Sequence, residues 1–368
     1  MERCTCSKAG SAERTSGATL TQPDDSALVT IDLHPYVGET PPRAFRSWLT
    51  PVPLFYVRNH FFEPEIDLSS WSLSVEGSVS IPLKLTSGQI EAMPKHTVPV
   101  TLECAGNNRT DLTPAVPGNK FQCGAISTAI WGGVSLRNVL EQAGVGPDAT
   151  EVLFEGADVG EPEPDYGQTP YLRSLPLEVA MHPDTLLAYE MNGEVLASEH
   201  GHPLRLIVPG WYAMASVKWL RAVRVIDYSF EGFFQTDRYV IENGQGKPDP
   251  VARMLVKSHI NEPEHGQALS LGAHLVTGVA WSGNGRISNV EVTDDGGVTW
   301  RPAHLDGPDH RYAWRQWCFS WTPSKPGHYT LMARAQDELG TWQPLEPEWN
   351  ALGYAINGVM AVCVSVTG

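Results

Sequence analysis

The sequence lacks the features that would direct it to a membrane, a nucleic acid or an oxidising compartment. No stretch of its 368 residues approaches the roughly 18 uninterrupted apolar residues of a membrane span, so no membrane partner is expected. Lys and Arg number 26 against 42 Asp and Glu, a formal net charge of −16. A phosphate backbone is bound by clustered cations, so nucleic acid is not an expected partner. An anionic small molecule would need a local arginine cluster working against the field of the whole chain. The six cysteines have no regular spacing and make no disulfide framework. The absence of CxxCH argues against a covalent haem, so no haem is expected and any electrons would leave to another protein. The first 25 residues, MERCTCSKAGSAERTSGATLTQPDD, have neither an apolar h-region nor a twin arginine. The expectation is therefore cytoplasmic, or periplasmic if a leader had been removed.

What is present is an ordinary globular composition, 42% hydrophobic and 18% charged, with length for two or three domains. Within it one stretch stands out. Pro99 to Thr110 reads PVTLECAGNNRT, an apolar run that stops at Cys104 and turns through Ala105 and Gly106 into Asn107, Asn108 and Arg109. This predicts a short strand ending at the cysteine. Cys104 is either a buried cysteine before a turn or a metal ligand; the second role needs a thiolate, which the Arg109 charge would favour.

LECAGNNR resembles the cysteine motif of the sulfite oxidase family of molybdenum enzymes, and four further stretches resemble that family in the same order. LFYVRNH, residues 54 to 60, is similar to its FVRNH segment. The likeness implies cofactor contacts from Tyr56, Val57, Arg58, Asn59 and His60, with Arg58 also reaching the substrate. Residues 124 to 133, GAISTAIWGG, resemble the segment after the cysteine; Cys123, just before it, is expected to be structural. TEVLFEGAD, residues 150 to 158, predicts a strand ending in a turn with Asp158 at its tip. The family places a pterin-contacting Asp after such an EG turn, which implies Asp158, with Asp165 in the EPEPDYG loop as the competitor. The block from Ser174 to Val225 resembles HGxPxR…VPG…VKWL, which implies pterin and phosphate contacts from His200, Arg205, Ser216, Val217 and Lys218. Arg and Lys suit a phosphate, since charge-assisted hydrogen bonds are the strong ones. His200 and His202 also form an HxH pair that could ligate zinc. The family further implies a tyrosine beside the reacting centre, matched by Tyr239.

The pattern beyond a Gly/Pro linker at 244 to 255 is of strands at short spacing, with Asp294 to Gly297 as a hairpin turn. This predicts an immunoglobulin-type β-sandwich resembling the family's dimerisation domain. The expected fold is α+β: a flexible extension over 1–44, a molybdopterin-binding catalytic domain over 45–245, and a dimerisation sandwich over 246–368. Ser135 as N-cap, Leu136, Val139, Leu140 and Ala143 at helical spacing, and Gly144 as a C-terminal cap predict one helix. Cys318 and Cys363 are expected in the core, and the CxC of Cys4 and Cys6 in a polar tail.

The resemblance implies molybdenum held by a molybdopterin and by the Cys104 thiolate, with Cys104 as the sole metal ligand from the protein. It implies oxygen-atom transfer, sulfite to sulfate, in which Arg58 and Arg109 hold the anion and Tyr239 orients it. Electrons would pass to an external acceptor such as a cytochrome, and the protein would be a homodimer. The chain departs from the family at two positions. Asn108 stands where animal and plant members carry an arginine, and in EWNALGYAINGV Leu352 takes the place of a third substrate arginine. Nitrate, a sulfoxide or a sulfane sulfur therefore stand as other substrates, and a non-catalytic β-sandwich binding protein is the reading outside the enzyme class.

Overall fold

The strand that delivers Cys104 lies at the edge of its sheet, and much of the architecture follows from how that edge is covered. A computed structural model describes residues 27–242 and 246–368. The strand Lys95–Glu103 pairs antiparallel with Ile126–Ser135 over its whole length, from Lys95 opposite Val134 to Glu103 opposite Ile126. Leu186–Met191, Glu194–Val195 and Arg205–Ile207 complete this five-stranded sheet. Pro99 is tolerated because proline, which has no N–H to donate, belongs on an edge strand. The open edge is closed by the C-terminal half of the chain: Thr101 N–H donates to the Tyr312 carbonyl at 2.8 Å, and Trp314 N–H to Thr101 Oγ1 at 2.7 Å.

A second five-stranded sheet runs Leu83–Leu85, Leu73–Gly77, Leu220–Ile226, Glu151–Gly160, Thr169–Pro176. Between the sheets a core of Phe45, Leu73, Val134, Leu136, Phe154 and Leu206 is shared with Val279, Trp281 and Trp314 from the C-terminal half. The helix Leu136–Ala143 turns its buried Leu136, Val139, Leu140 and Ala143 inward and ends at Gly144, whose φ of +71° suits a residue without Cβ. Ser135 occupies the N-cap position but its hydroxyl caps nothing, so this helix starts without a side-chain cap.

The C-terminal half is a β-sandwich. Its four-stranded sheet runs Lys257–Glu262, His274–Trp281, Arg315–Trp321, His304–Asp306; the five-stranded one runs Ala268–Ser270, Ala361–Thr367, Gly327–Asp337, Ile287–Thr293, Arg301–Pro302. Alternate residues Val276, Trp317, Trp321, Leu331 and Val364 meet between them. The mixed helix and strand architecture with a terminal sandwich is the α+β fold expected.

Four expectations change. Residues 29 to 39 are not a flexible arm: Val29–Leu33, Tyr36–Glu39 and Val57–Arg58 form a three-stranded sheet, and Thr40 Oγ1 meets Ser127 Oγ at 2.7 Å. Tyr36 to Gly38 is too short to show alternation, and its order comes from these distant partners. Asp158 is not at a turn tip but inside the strand Glu151–Gly160, where a register shift between Glu155 and Val159 bulges the strand. Cys318 and Cys363 are half-buried on the outer faces of their sheets, between inward Trp317 and Phe319 and between Val362 and Val364. The linker is also tied back, with Asp249–Pro250 paired to Val240–Ile241. Cys4 and Cys6 lie outside the described residues, as do residues 243–245 of the linker. No described helix is long and apolar enough to cross a membrane.

Candidate active site

Two clefts meet at Cys104. The first is lined by Tyr56 to His60, Cys104, Asp158, Tyr171, Glu199, His200, Arg205, Ser216, Val217, Lys218, Trp219 and Tyr239, among others. The second, with a cavity volume of about 260 Å³, shares Arg58, His60, Cys104 and Tyr239 with it and adds Arg109, Phe233, Phe234, Arg238, Leu352 and Tyr354. Thirteen residues singled out by the family likeness thus line the first cleft, and Arg109 lines the second. Asp158 is inside, while Asp165 is exposed in its loop and lines neither cleft.

The first cleft is a basic chamber in which Asp158 is near Lys218 but forms no ion pair with it. Among the described residues no ion pair is made by Arg205 or Lys218. Arg205 is buried, donates from Nη1 to the His200 carbonyl at 3.1 Å, and lies 5.2 Å over the Trp131 ring; its Nε donates to nothing. Burial pulls its pKa down to about 10. Lys218 is held by Asn59 Oδ1 and by the Glu199 carbonyl at 2.9 Å, and its ammonium sits 4.1 Å over Trp219. Burial first, then the Arg205 charge, holds it well below the usual lysine range. Asp158 is raised to about 6 by burial, against the pull of Lys218. The cations lining the cleft, Arg58, Arg205 and Lys218, outnumber its carboxylates, Asp158 and Glu199, and unbalanced buried cations are costly, so this chamber suits a ligand that brings negative charge.

The neutral groups fit the same ligand. His200 is pushed down to about 3 by burial and by Arg205 and Lys218, so it is neutral; its Nε2–H donates to the Val52 carbonyl at 3.2 Å, leaving Nδ1 as an acceptor. The Tyr56 hydroxyl is buried without a partner. Ser216 Oγ accepts from Val208 N–H at 3.1 Å and keeps its own O–H to donate. A large polar group with a phosphate, as a molybdopterin has, would satisfy these orphaned atoms.

Cys104 sits where the strand ends, its N–H donating to the Ala125 carbonyl at 2.8 Å. It is 7% exposed, and burial raises its thiol pKa while the charges of Arg58 and Arg109 oppose that rise. A soft cation at the sulfur would hold the thiolate that burial disfavours. The neighbouring Glu103 is spent structurally: Lys257 Nζ at 3.0 Å and Asn107 Nδ2 at 3.0 Å donate to its Oε1, and Trp281 Nε1 at 2.8 Å to its Oε2. Glu103 carries no signal in the local sequence, since its partners Lys257 and Trp281 stand far away along the chain.

Arg109 passes through a gap that only glycines leave open. A Cβ on Gly106 would lie 2.7 Å from its Nη2, and one on Gly118, at φ +99°, 2.8 Å from its Nη1. Its Nη1 donates to the Asn119 carbonyl at 3.1 Å, and the guanidinium lies 5.2 Å over Tyr354. Asn108 faces away: its Nδ2 donates to Asp111 Oδ2 at 2.8 Å. Tyr239, at φ +59°, stacks on Tyr354 and meets His60 Nε2 at 2.5 Å. Burial keeps its phenol protonated and, with the Arg58 charge, keeps His60 neutral. The pair is a neutral hydrogen-bonding relay beside Cys104.

His202 lines a separate cleft with Pro203 and Trp71, so the HxH pair is split and no zinc site forms there; among the described residues no cluster of three His, Cys, Asp or Glu could hold a metal. Cys123 lines neither chamber. Tyr171, whose hydroxyl donates to the Met214 carbonyl at 2.8 Å, and Trp219 went unnoticed in the sequence because they read as packing aromatics.

Comparison with known proteins bears on this geometry. Residues 60–234 match the family described as "Oxidoreductase molybdopterin binding domain" and residues 249–367 the "Mo-co oxidoreductase dimerisation domain". The chain is 36% identical to the sulfite oxidase of Gallus gallus over 87% of its length and 74% of that protein's. It is likewise 36% identical to the mitochondrial sulfite oxidase of Rattus norvegicus, over 90% of its own length but 64% of the relative's, so it spans a little under two thirds of that protein. A nitrate reductase of Hordeum vulgare is also 36% identical, over 90% of this chain and 41% of that protein. Among solved structures, the sulfane dehydrogenase SoxCD of Paracoccus pantotrophus superposes with a TM-score of 0.78 and 29% identity, covering 95% of this chain and 87% of that one.

Proposed function

The chain belongs to the sulfite oxidase family of molybdopterin-dependent oxidoreductases, and on that premise we propose that it oxidises sulfite to sulfate, passing the electrons to an external acceptor. The observation that carries the reading is the meeting at Cys104 of a chamber holding Arg205 and Lys218 outside any ion pair and a second chamber holding Arg58 and Arg109. In this reading Arg205, Lys218, His200, Ser216, Val217, Asp158 and residues 56–60 hold the pterin and its phosphate, and Cys104 holds the molybdenum. When bound, that group supplies oxygen-atom transfer and takes up the electron pair. Arg58 and Arg109 neutralise and orient the anion by charge-assisted hydrogen bonds. Tyr239, kept protonated, donates to the substrate oxygen or to His60, which fixes the direction from which the anion approaches. The aromatic walls around His60, Tyr171 and Phe234 limit water at the reacting atoms.

The catalytic domain would end near residue 245, and the sandwich from 246 would form the homodimer that the dimerisation-domain match supports. Leu352 in the wall of the second chamber favours a second reading, in which another oxyanion or sulfur compound is the substrate. The test is steady-state turnover of sulfite with ferricyanide as acceptor. Sulfite oxidation supports the first reading, and replacing Arg58 or Arg109 by Gln should raise its KM about ten- to a hundredfold, the worth of one charge-assisted contact. Turnover of nitrate with none of sulfite would overturn it.

A further inference from the structure

The chamber beyond Cys104 is larger and more apolar than an inorganic oxyanion needs. Its cavity volume is about 260 Å³. A four-atom anion fills only two or three water volumes, ~60–90 Å³, so room is left beside it. Its cations are few. Arg109, 7% exposed, keeps a buried Nε without a partner. Arg58 acts with it on Cys104. The third arginine of the wall, Arg238, is taken up by Glu163. Phe233, Phe234 and Leu352 also line it, with Tyr239 and Tyr354. An amphipathic chamber selects an amphipathic anion.

We propose that the preferred substrate is an organic sulfinate, R–SO₂⁻, rather than inorganic sulfite; this rests on the oxygen-transfer reading above. The two oxygens of the head match the donors of Arg58 and Arg109, the sulfur lone pair faces the Cys104 end of the chamber, and the R group covers Phe233, Phe234 and Leu352. A sulfite ion placed there would cover none of those three side chains and so gains nothing from their burial. The reaction balances as R–SO₂⁻ + H₂O → R–SO₃⁻ + 2 H⁺ + 2 e⁻. One S–O bond forms, two O–H bonds of water break, the sulfur loses two electrons, and two equivalents of a one-electron acceptor of the ferricyanide or cytochrome class are reduced.

The experiment uses the molybdenum-loaded protein and two readouts. Calorimetric titration with sulfate, methanesulfonate, butanesulfonate and benzenesulfonate tests binding of the product class. Affinity should rise about fourfold per methylene, as burial of apolar surface requires, with benzenesulfonate at least tenfold tighter than sulfate. Leu352→Arg, with Leu352→Gln as a milder variant, should shift that order toward sulfate. Turnover with benzenesulfinate and ferricyanide should exceed that with sulfite at least tenfold in kcat/KM. An affinity flat with chain length, or sulfate bound best by the unmodified protein, overturns the proposal. Oxidation of sulfite with every sulfinate inert overturns it too and leaves the oxygen-transfer reading standing; inertness toward both classes overturns both.

Discussion

The two chambers that meet at Cys104 are built by opposite rules. In the first, Arg205 and Lys218 are enclosed outside any ion pair, with Asp158 near Lys218, and Tyr56 and Arg205 keep polar atoms unused, so positive charge is left to be balanced by what enters. In the second, Arg238 is already paired with Glu163 and the walls are aromatic or aliphatic, so little charge is left for a ligand beyond Arg58 and Arg109. A ligand is thus legible from what a chamber leaves unsatisfied: a large, strongly anionic group on one side, a small head with an apolar body on the other.

The comparison is broken most severely at the point the chambers share. Cys104→Ser should lower turnover by three orders of magnitude or more while circular dichroism and thermal unfolding stay close to the parent; an unchanged rate would separate Cys104 from the chemistry.

The seam behind the cysteine is the next largest effect. Lys257→Met leaves Glu103 buried and unpaired, which should cost about 3–5 kcal/mol of stability in denaturant titration. The double variant Glu103→Gln with Lys257→Met should recover most of that loss; equal losses in single and double variants would show that the pair is not coupled.

The chambers themselves are separated by Arg205→Met. This change should cut bound pterin about ten- to a hundredfold, the loss of one charge-assisted contact, whereas Arg109→Gln should leave pterin content intact. Equal losses from both variants would erase the distinction.

The smallest effect tests burial away from both chambers. His259, packed against Phe45 at the seam, is pushed down to about 4 by burial, ahead of the Lys257 charge. Its unfolded counterpart takes a proton near 6.5, so stability is fully present above that pH and is lost as pH falls from 6.5 to about 4, by up to about 3 kcal/mol. His259→Gln should flatten that part of the acid limb; an identical pH profile would mean His259 titrates normally.

Local runs carried most of the site. VRNH, the strand ending at Cys104, and the helix closed by Gly144 each write their geometry in consecutive residues. What escaped depended on distance along the chain. Glu103 meets Lys257 across 154 positions, and Tyr36–Glu39 becomes a strand through partners near residues 57 and 124. The EG before Asp158 reads as a turn because a bulge and a turn ask for the same small residues; only the pairing with Thr169–Pro176 distinguishes them. Cys318, flanked by tryptophan and phenylalanine, reads as core because alternation gives a face only once the register is known.

The most direct measurement is the molybdenum and pterin content of the purified protein, by elemental mass spectrometry and fluorescence of the oxidised pterin, after expression in a host that makes the cofactor. The account predicts about one of each per chain, with both cut about ten- to a hundredfold in Arg205→Met. Neither metal nor pterin in the unmodified protein would contradict it and leave the Cys104 stretch as a turn in a β-sandwich binding protein.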